Sequence, residues 1–113
     1  MTSIMRGFHE AVITLSNWNI LIETEVTGKT AERFIGLNEA NGLGHLSEKI
    51  FHFDEKAKFA LMETGPLYRL NGAPGRPDDK TIGILARRIG TNKASKLLEN
   101  GLVGLPKFRY PLS

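Results

Sequence analysis

The 113-residue sequence has no cysteine, a single tryptophan and no apolar run of membrane-spanning length. The first absence removes disulfide frameworks, thiolate zinc sites and cysteine nucleophiles together, and fits a reducing compartment. The absence of a long apolar run leaves nothing that reads as a transmembrane helix. The opening stretch "MTSIMRGFHEAVITLSNWNILIETEV" alternates polar and apolar residues where a signal peptide would carry a continuous apolar core. A cytoplasmic protein without a membrane partner is expected. Repeats, low-complexity tracts and linkers are lacking as well, so one domain spanning residues 1–113 is expected. Hydrophobic residues at 41% and charged residues at 24% suit a chain that folds around an apolar core.

Catalytic signatures are equally scarce. His9, His45 and His52 stand 36 and 7 residues apart, so no two share a helix face, and no carboxylate spacing completes a metal site. No Ser or Thr sits in a local pattern with a histidine and an orienting acid. Glu23 and Glu25 alternate along a strand-like stretch, which reads as a solvent face. No catalytic residue, metal or cofactor is assigned, and an enzyme is left unsupported.

What the chain does have is a division of charge. Residues 1–65 carry six Lys and Arg against nine Asp and Glu, a balance of −3, while residues 66–113 carry nine against three, a balance of +6. A clustered excess of cations creates a local potential that the net +3 hides. The C-terminal half is therefore the candidate surface for a polyanion.

Periodicity divides the chain into strands and then helices. "AVITLSNWNILIETEVTG" is rich in β-branched residues and suits two strands meeting at Ser16–Asn19, or one long bent strand. Thr30 is placed to cap a short helix over "AERFIGLNEA", stopped by Asn41 and Gly42. Three strands follow, at Lys49–Phe53, Lys58–Glu63 and Leu67–Leu70, with His52 a strand residue. Ile82, Leu85, Ala86 and Ile89 then recur at helical spacing behind Asp78 and Asp79, whose charge suits a helix N-terminus. A second helix, "NKASKLLENG", has Asn92 as cap and Gly101 as stop, with Leu97 and Leu98 expected in the core. The expected fold is α+β: an antiparallel sheet of four to five strands with a helical hairpin at the C-terminal end. Residues 1–75 are mainly strands with a short helix, 76–101 the hairpin, and 102–113 an extended tail.

The segment "LYRLNGAPGRPDDK" joins the last strand to the first helix and admits two readings. A glycine-rich turn ahead of a helix can cradle a phosphate on its backbone N–H groups, with Arg76 nearby. However, "GAPG" lacks both the dinucleotide fingerprint and the phosphate-loop lysine, and two aspartates at the helix start repel an anion. A simple joint accounts for every residue, with positive φ expected at Gly72 or Gly75.

Two resemblances bear on function. "ILARRIGTNKASKLLENG" resembles the helix-turn-helix of bacterial repressors, departing from it at Thr91 and Lys96, where that motif places apolar residues. The resemblance implies that Asn92, Lys93, Ser95 and Lys96 face a groove and that Arg87 and Arg88 meet phosphates. Residues 45–75 resemble small proteins of bacterial phages, plasmids and integrated elements that carry a T-x-G-x-x-Y-x-L-x-G-x-P-G pattern. Thr64, Gly65, Tyr68, Leu70, Gly72, Pro74 and Gly75 fill it here, with Thr64 directly beside Gly65. That resemblance implies a mobile-element setting and no particular reaction.

Two partner classes follow. A basic accessory or regulatory protein would bind DNA or RNA through Arg69, Arg76, Arg87, Arg88, Asn92, Lys93, Lys96, Lys107 and Arg109. Alternatively, a protein-binding inhibitor or adaptor, such as an anti-CRISPR-like blocker of a bacterial defence complex, would dock on a host protein. Convergence of those cations on one patch favours the first reading and scatter favours the second.

Overall fold

The computed structural model describes residues 12–90 and 93–112. Six strands and two helices follow one another as β1 (Val12–Thr24), β2 (Thr30–Asn38), β3 (Leu43–Asp54), β4 (Phe59–Met62), β5 (Leu67–Leu70), α1 (Asp79–Ile89), α2 (Lys93–Glu99) and β6 (Lys107–Phe108). The class is α+β with a mostly antiparallel sheet, as the sequence implies, but with one strand more than the upper expectation.

Strands β1 to β5 form an antiparallel meander, and β1 then pairs with both β2 and β5. The sheet is thereby closed into a barrel. Successive meander strands alternate in direction, so with an odd number the first and fifth run the same way. The β1–β5 pair is accordingly the parallel one, joining Val12–Leu15 to Leu67–Leu70. Closure removes the free edges that an open sheet would expose.

Three bulges shape the barrel, and each brings residues three apart onto one face where a regular strand would oppose them. The register slips between Ser16 and Asn19 in β1, so Leu15 and Trp18 both enter the core. A slip on β3 opposite Arg33 and Ile35 turns both His45 and Glu48 toward Tyr68. A third slip, between Ile50 and His52, packs both Ile50 and Phe53 on the core. It leaves the intervening Phe51 ring exposed.

The core gathers Leu15, Trp18, Ile20, Phe34, Ala60, Met62, Tyr68 and Leu70. Trp18 meets Phe34, Phe53 and Tyr110 edge to face, each with ring centroids 5.8 Å apart. Such pairs contribute about 0.5–1.5 kcal/mol each beyond the area they bury.

Several expectations are corrected. The stretch "AERFIGLNEA" is not a helix but most of β2, and Thr30 opens the strand instead of capping a helix. A helix would lose the barrel's closing ladder, and Gly36 shows why the strand wins. A Cβ there would stand 3.0 Å from the Ser16 carbonyl oxygen and from the Trp18 Cβ, so only glycine lets β1 and β2 approach at the bulge. Ser16–Asn19 is a bulge within one long strand, not a hairpin turn. Glu23, expected on a solvent face, is buried.

α1 begins as expected, with the Asp78 carboxylate accepting the Thr81 N–H at 3.0 Å. It packs on β3 at Gly44, where a Cβ would meet the Thr81 Cα and the Lys80 carbonyl oxygen at 2.9 Å. On α1, Ile82, Leu85 and Ile89 are half-buried. On α2, Leu97 is buried and Leu98, expected beside it in the core, is exposed. The proposed cap of α2, Asn92, and the histidine His9 lie outside the described residues.

Candidate functional site

The joint between β5 and α1 is held down along β1. Asn71 N–H donates to the Leu15 carbonyl at 2.8 Å, and Gly75 N–H to the Trp18 carbonyl at 3.0 Å. The Gly72 carbonyl accepts from the Trp18 indole at 3.0 Å and from Lys58 Nζ at 2.9 Å. The Gly75 carbonyl accepts from Asn19 Nδ2 at 2.8 Å. With the Gly75 N–H spent on β1 and the helix start capped by Asp78, the phosphate-cradle reading has no backbone donor at Gly75 to offer. Gly72 holds φ at 81°, as a joint of this kind requires.

The eight cations among the nine candidate residues divide by what they touch. Arg88 reaches from α1 to Glu23, its Nη2 donating at 3.0 Å, while Arg33 Nε donates to the same carboxylate at 3.0 Å. Glu23 is 1% exposed, so this is one buried acid shared by two guanidiniums. A buried carboxylate is sustained only by such pairing. Arg109 donates to Glu32 at 2.8 Å and lies against the Tyr110 ring. Lys96 lies 4.0 Å from Glu99. Arg69 is exposed on β5, Arg76 in the joint, Arg87 on α1, Lys93 on α2 and Lys107 on β6, and none of these five forms an ion pair among the described residues. They come from five different elements. Asn92 lies outside the described residues.

Two polar arrangements in the barrel escaped the sequence. His45 Nε2 and the Tyr68 hydroxyl are 2.7 Å apart, and that hydroxyl donates to Glu48 Oε1 at 2.9 Å. This chain links β3 to β5 past the short β4. Burial pushes the His45 pKa below its ordinary value, and burial with the Glu48 contact pushes the Tyr68 hydroxyl up. Tyr68 is fully buried, and its hydroxyl ties the two strands together as a strut. The second arrangement is a cleft of about 380 Å³ lined in part by Glu32, Glu55, Glu63, Lys49 and Arg109. Lys49 is tied to Glu25 at 2.5 Å, Arg109 to Glu32, and Glu55 accepts from the Tyr110 hydroxyl. Three carboxylates against two engaged cations make this cleft a poor seat for phosphate.

The apolar surface is concentrated elsewhere. Nine large hydrophobic side chains stand exposed among the described residues, and four of them, Val26, Leu98, Val103 and Leu105, come from the corner where α2 and the following chain meet the end of β1. Backbone pairing builds this corner. Val26 N–H donates to the Gly101 carbonyl, Val103 N–H donates to the Thr24 carbonyl, and Glu25 bridges Leu102. Leu97 and Leu102 fill the floor. Ala94, Leu98 and Val103 line a hollow of about 210 Å³ above them. Periodicity placed Leu98 in the core because two adjacent leucines on a short helix both look internal. The available signal was "LLENGLVGL", which holds more apolar residues around Gly101 and Gly104 than one seven-residue helix can bury.

Among the described residues no cluster of three or more metal-ligating side chains occurs, and no helix is long and apolar enough to cross a membrane. No protein-family model, curated protein or solved structure matches the chain.

Proposed function

We propose that this is a protein-binding inhibitor or adaptor of a mobile element, which docks on a host protein through the corner formed by α2 and the end of β1. The observation that carries the reading is that Leu98 and Val103, exposed by 60 and 42%, line one apolar hollow, with Val26, exposed by 58%, bonded through its backbone to Gly101 alongside. Large apolar side chains gathered in one place mark an interaction surface more often than scattered ones do. The cations support it from the other side. Arg88, Arg109 and Lys96 lie against carboxylates, which weakens the polyanion footprint that the candidate cations would make. In this reading α1 and α2 act as a helical hairpin that presents the surface, and the barrel is its rigid support.

The test compares crosslinked partners of the wild type with those of Leu98→Asp and Arg69→Ala. A stoichiometric complex retained by Arg69→Ala and lost by Leu98→Asp supports the reading. A complex insensitive to Leu98→Asp overturns it. The nucleic-acid reading keeps one favourable observation, the five cations without ion pairs among the described residues. It expects duplex or single-strand binding stronger than about 100 μM at low salt, weakening with a log–log slope of about −0.9 per phosphate contacted on duplex DNA.

A further inference from the structure

Three exposed lysines belong to the segments that build the apolar corner. Lys29 follows Val26 in the β1–β2 turn, where its carbonyl accepts the Glu25 N–H. Lys93 opens α2 one residue before Ala94, and Lys107 lies two residues beyond Leu105, in β6. All three are exposed, and none forms an ion pair among the described residues. The acids nearby are already occupied: Glu25 is held by Lys49, which also lowers its pKa, and Glu99 faces Lys96. Glu25 thus answers both Lys49 and Lys29, and the segments beside the apolar centre are left with an excess of positive charge.

From this we infer that the occupant of the corner is an acidic amphipathic segment of a partner protein, with apolar side chains entering the hollow over Leu97 and Leu102 and carboxylates meeting Lys29, Lys93 and Lys107. The inference rests on the protein-docking reading and adds the chemistry of the partner. The apolar centre supplies most of the affinity, since anchors seated in a pocket dominate interfaces. The lysines select for acidic partners and speed their encounter, with an effect that salt screens. A bare polyanion satisfies the lysines but leaves Leu98, Val103 and Leu105 in water. A basic segment satisfies the centre and is repelled by the lysines.

The probe is a fluorescein-labelled amphipathic peptide of about 18 residues, with leucines along one helical face and glutamates on the other. Its controls are the same peptide with lysines for glutamates, a labelled single-stranded oligonucleotide, and vesicles of mixed neutral and anionic phospholipid. All are titrated by anisotropy or co-sedimentation against the full chain, at low and at physiological salt. The expected result is binding of the glutamate peptide that weakens with salt, at least about tenfold tighter than the lysine peptide. Leu98→Asp should remove it, and the double variant Lys93→Glu with Lys107→Glu should invert the preference between the two peptides. Circular dichroism and unfolding of each variant show that the fold is kept. Val103→Asp serves as a second probe of the centre should Leu98→Asp fail to fold.

Equal binding of both peptides, lost in Leu98→Asp, overturns the acidic partner and leaves the docking reading standing. Binding of the oligonucleotide with no binding of either peptide overturns both. Binding to vesicles alone overturns the protein partner in favour of an anionic lipid surface, and no binding to any probe overturns the inference.

Discussion

The interior of the barrel and the corner at α2 use the same residue types to opposite ends. Inside, Trp18, Phe34, Phe53 and Tyr110 are locked edge to face, and the polar atoms among them are matched, the indole N–H to Gly72 and the Asn19 amide to Gly75 and Tyr110. At the corner, Val26, Leu98, Val103 and Leu105 stand 42–60% exposed. A closed sheet has already used its edges and its inner face, so its stability does not depend on covering the corner. The difference separates a packed interior from an exposed apolar corner. Substitutions should separate the two by the size of their effect on folding.

The largest loss is expected inside. Trp18→Ala removes three ring contacts and the bond to Gly72 at once, and should cost about 3–5 kcal/mol, read from chemical denaturation. A loss below about 1 kcal/mol would mean the barrel is not the source of stability. Next comes the ionic joint between barrel and helix. Glu23→Ala leaves Arg33 and Arg88 facing one another without their shared acid and should cost about 3 kcal/mol, because an unpaired charge is left partly buried. Restoration of stability by a second change, Arg88→Leu, would show that the penalty lies in the orphaned guanidinium.

At the joint, Gly72→Val forces a β-branched residue to φ near 81°. A Cβ there meets no neighbour among the described residues, so the cost is backbone strain alone, about 1–3 kcal/mol. Inorganic phosphate should leave the melting midpoint of wild type and variant alike unchanged. A rise in the wild type alone would reopen the phosphate-cradle reading.

A smaller effect is expected from pH. Burial lowers the His45 pKa below the value of about 6.5 that it has when unfolded. The unfolded chain therefore binds more protons than the folded one in that region. The stability of the neutral, buried ring is fully present above about pH 6.5 and declines as the pH falls toward the lower folded value. His45→Gln keeps a donor for the Tyr68 hydroxyl and should flatten this part of the stability curve, which denaturation at a series of pH values would show. The smallest effect belongs to the corner. Leu98→Ala should change stability by no more than about 0.5 kcal/mol, since the side chain is already in water, while weakening partner binding. A large loss of stability there would erase the distinction between the two regions.

Much of the strand pattern is legible in the residues alone. Phe59 and Leu61 against Ala60 and Met62 give β4 its two faces, and the β5 alternation is equally plain. Asp78 and the helical spacing of Ile82, Leu85 and Ile89 announce α1, because capping and periodicity act within one turn. What misleads is local as well. "AERFIGLNEA" holds helix formers, and nothing within ten residues reveals that Gly36 must pass close to Trp18. The three bulges break the two-residue period where it matters most, so Trp18, Glu48 and Phe51 each face a way that alternation does not foresee.

By itself, then, the sequence determined the class of fold, the order of most elements and the uneven distribution of charge, since these follow from composition and from interactions a few residues long. The tertiary structure decided the closure of the barrel, which follows from pairing β1 with a strand over fifty residues away. It decided that Glu23 takes up Arg33 and Arg88, and that of two adjacent leucines one is 4% exposed and the other 60%. Each of these depends on which distant groups arrive beside a residue, and burial and charge pairing act through space without regard to separation along the chain.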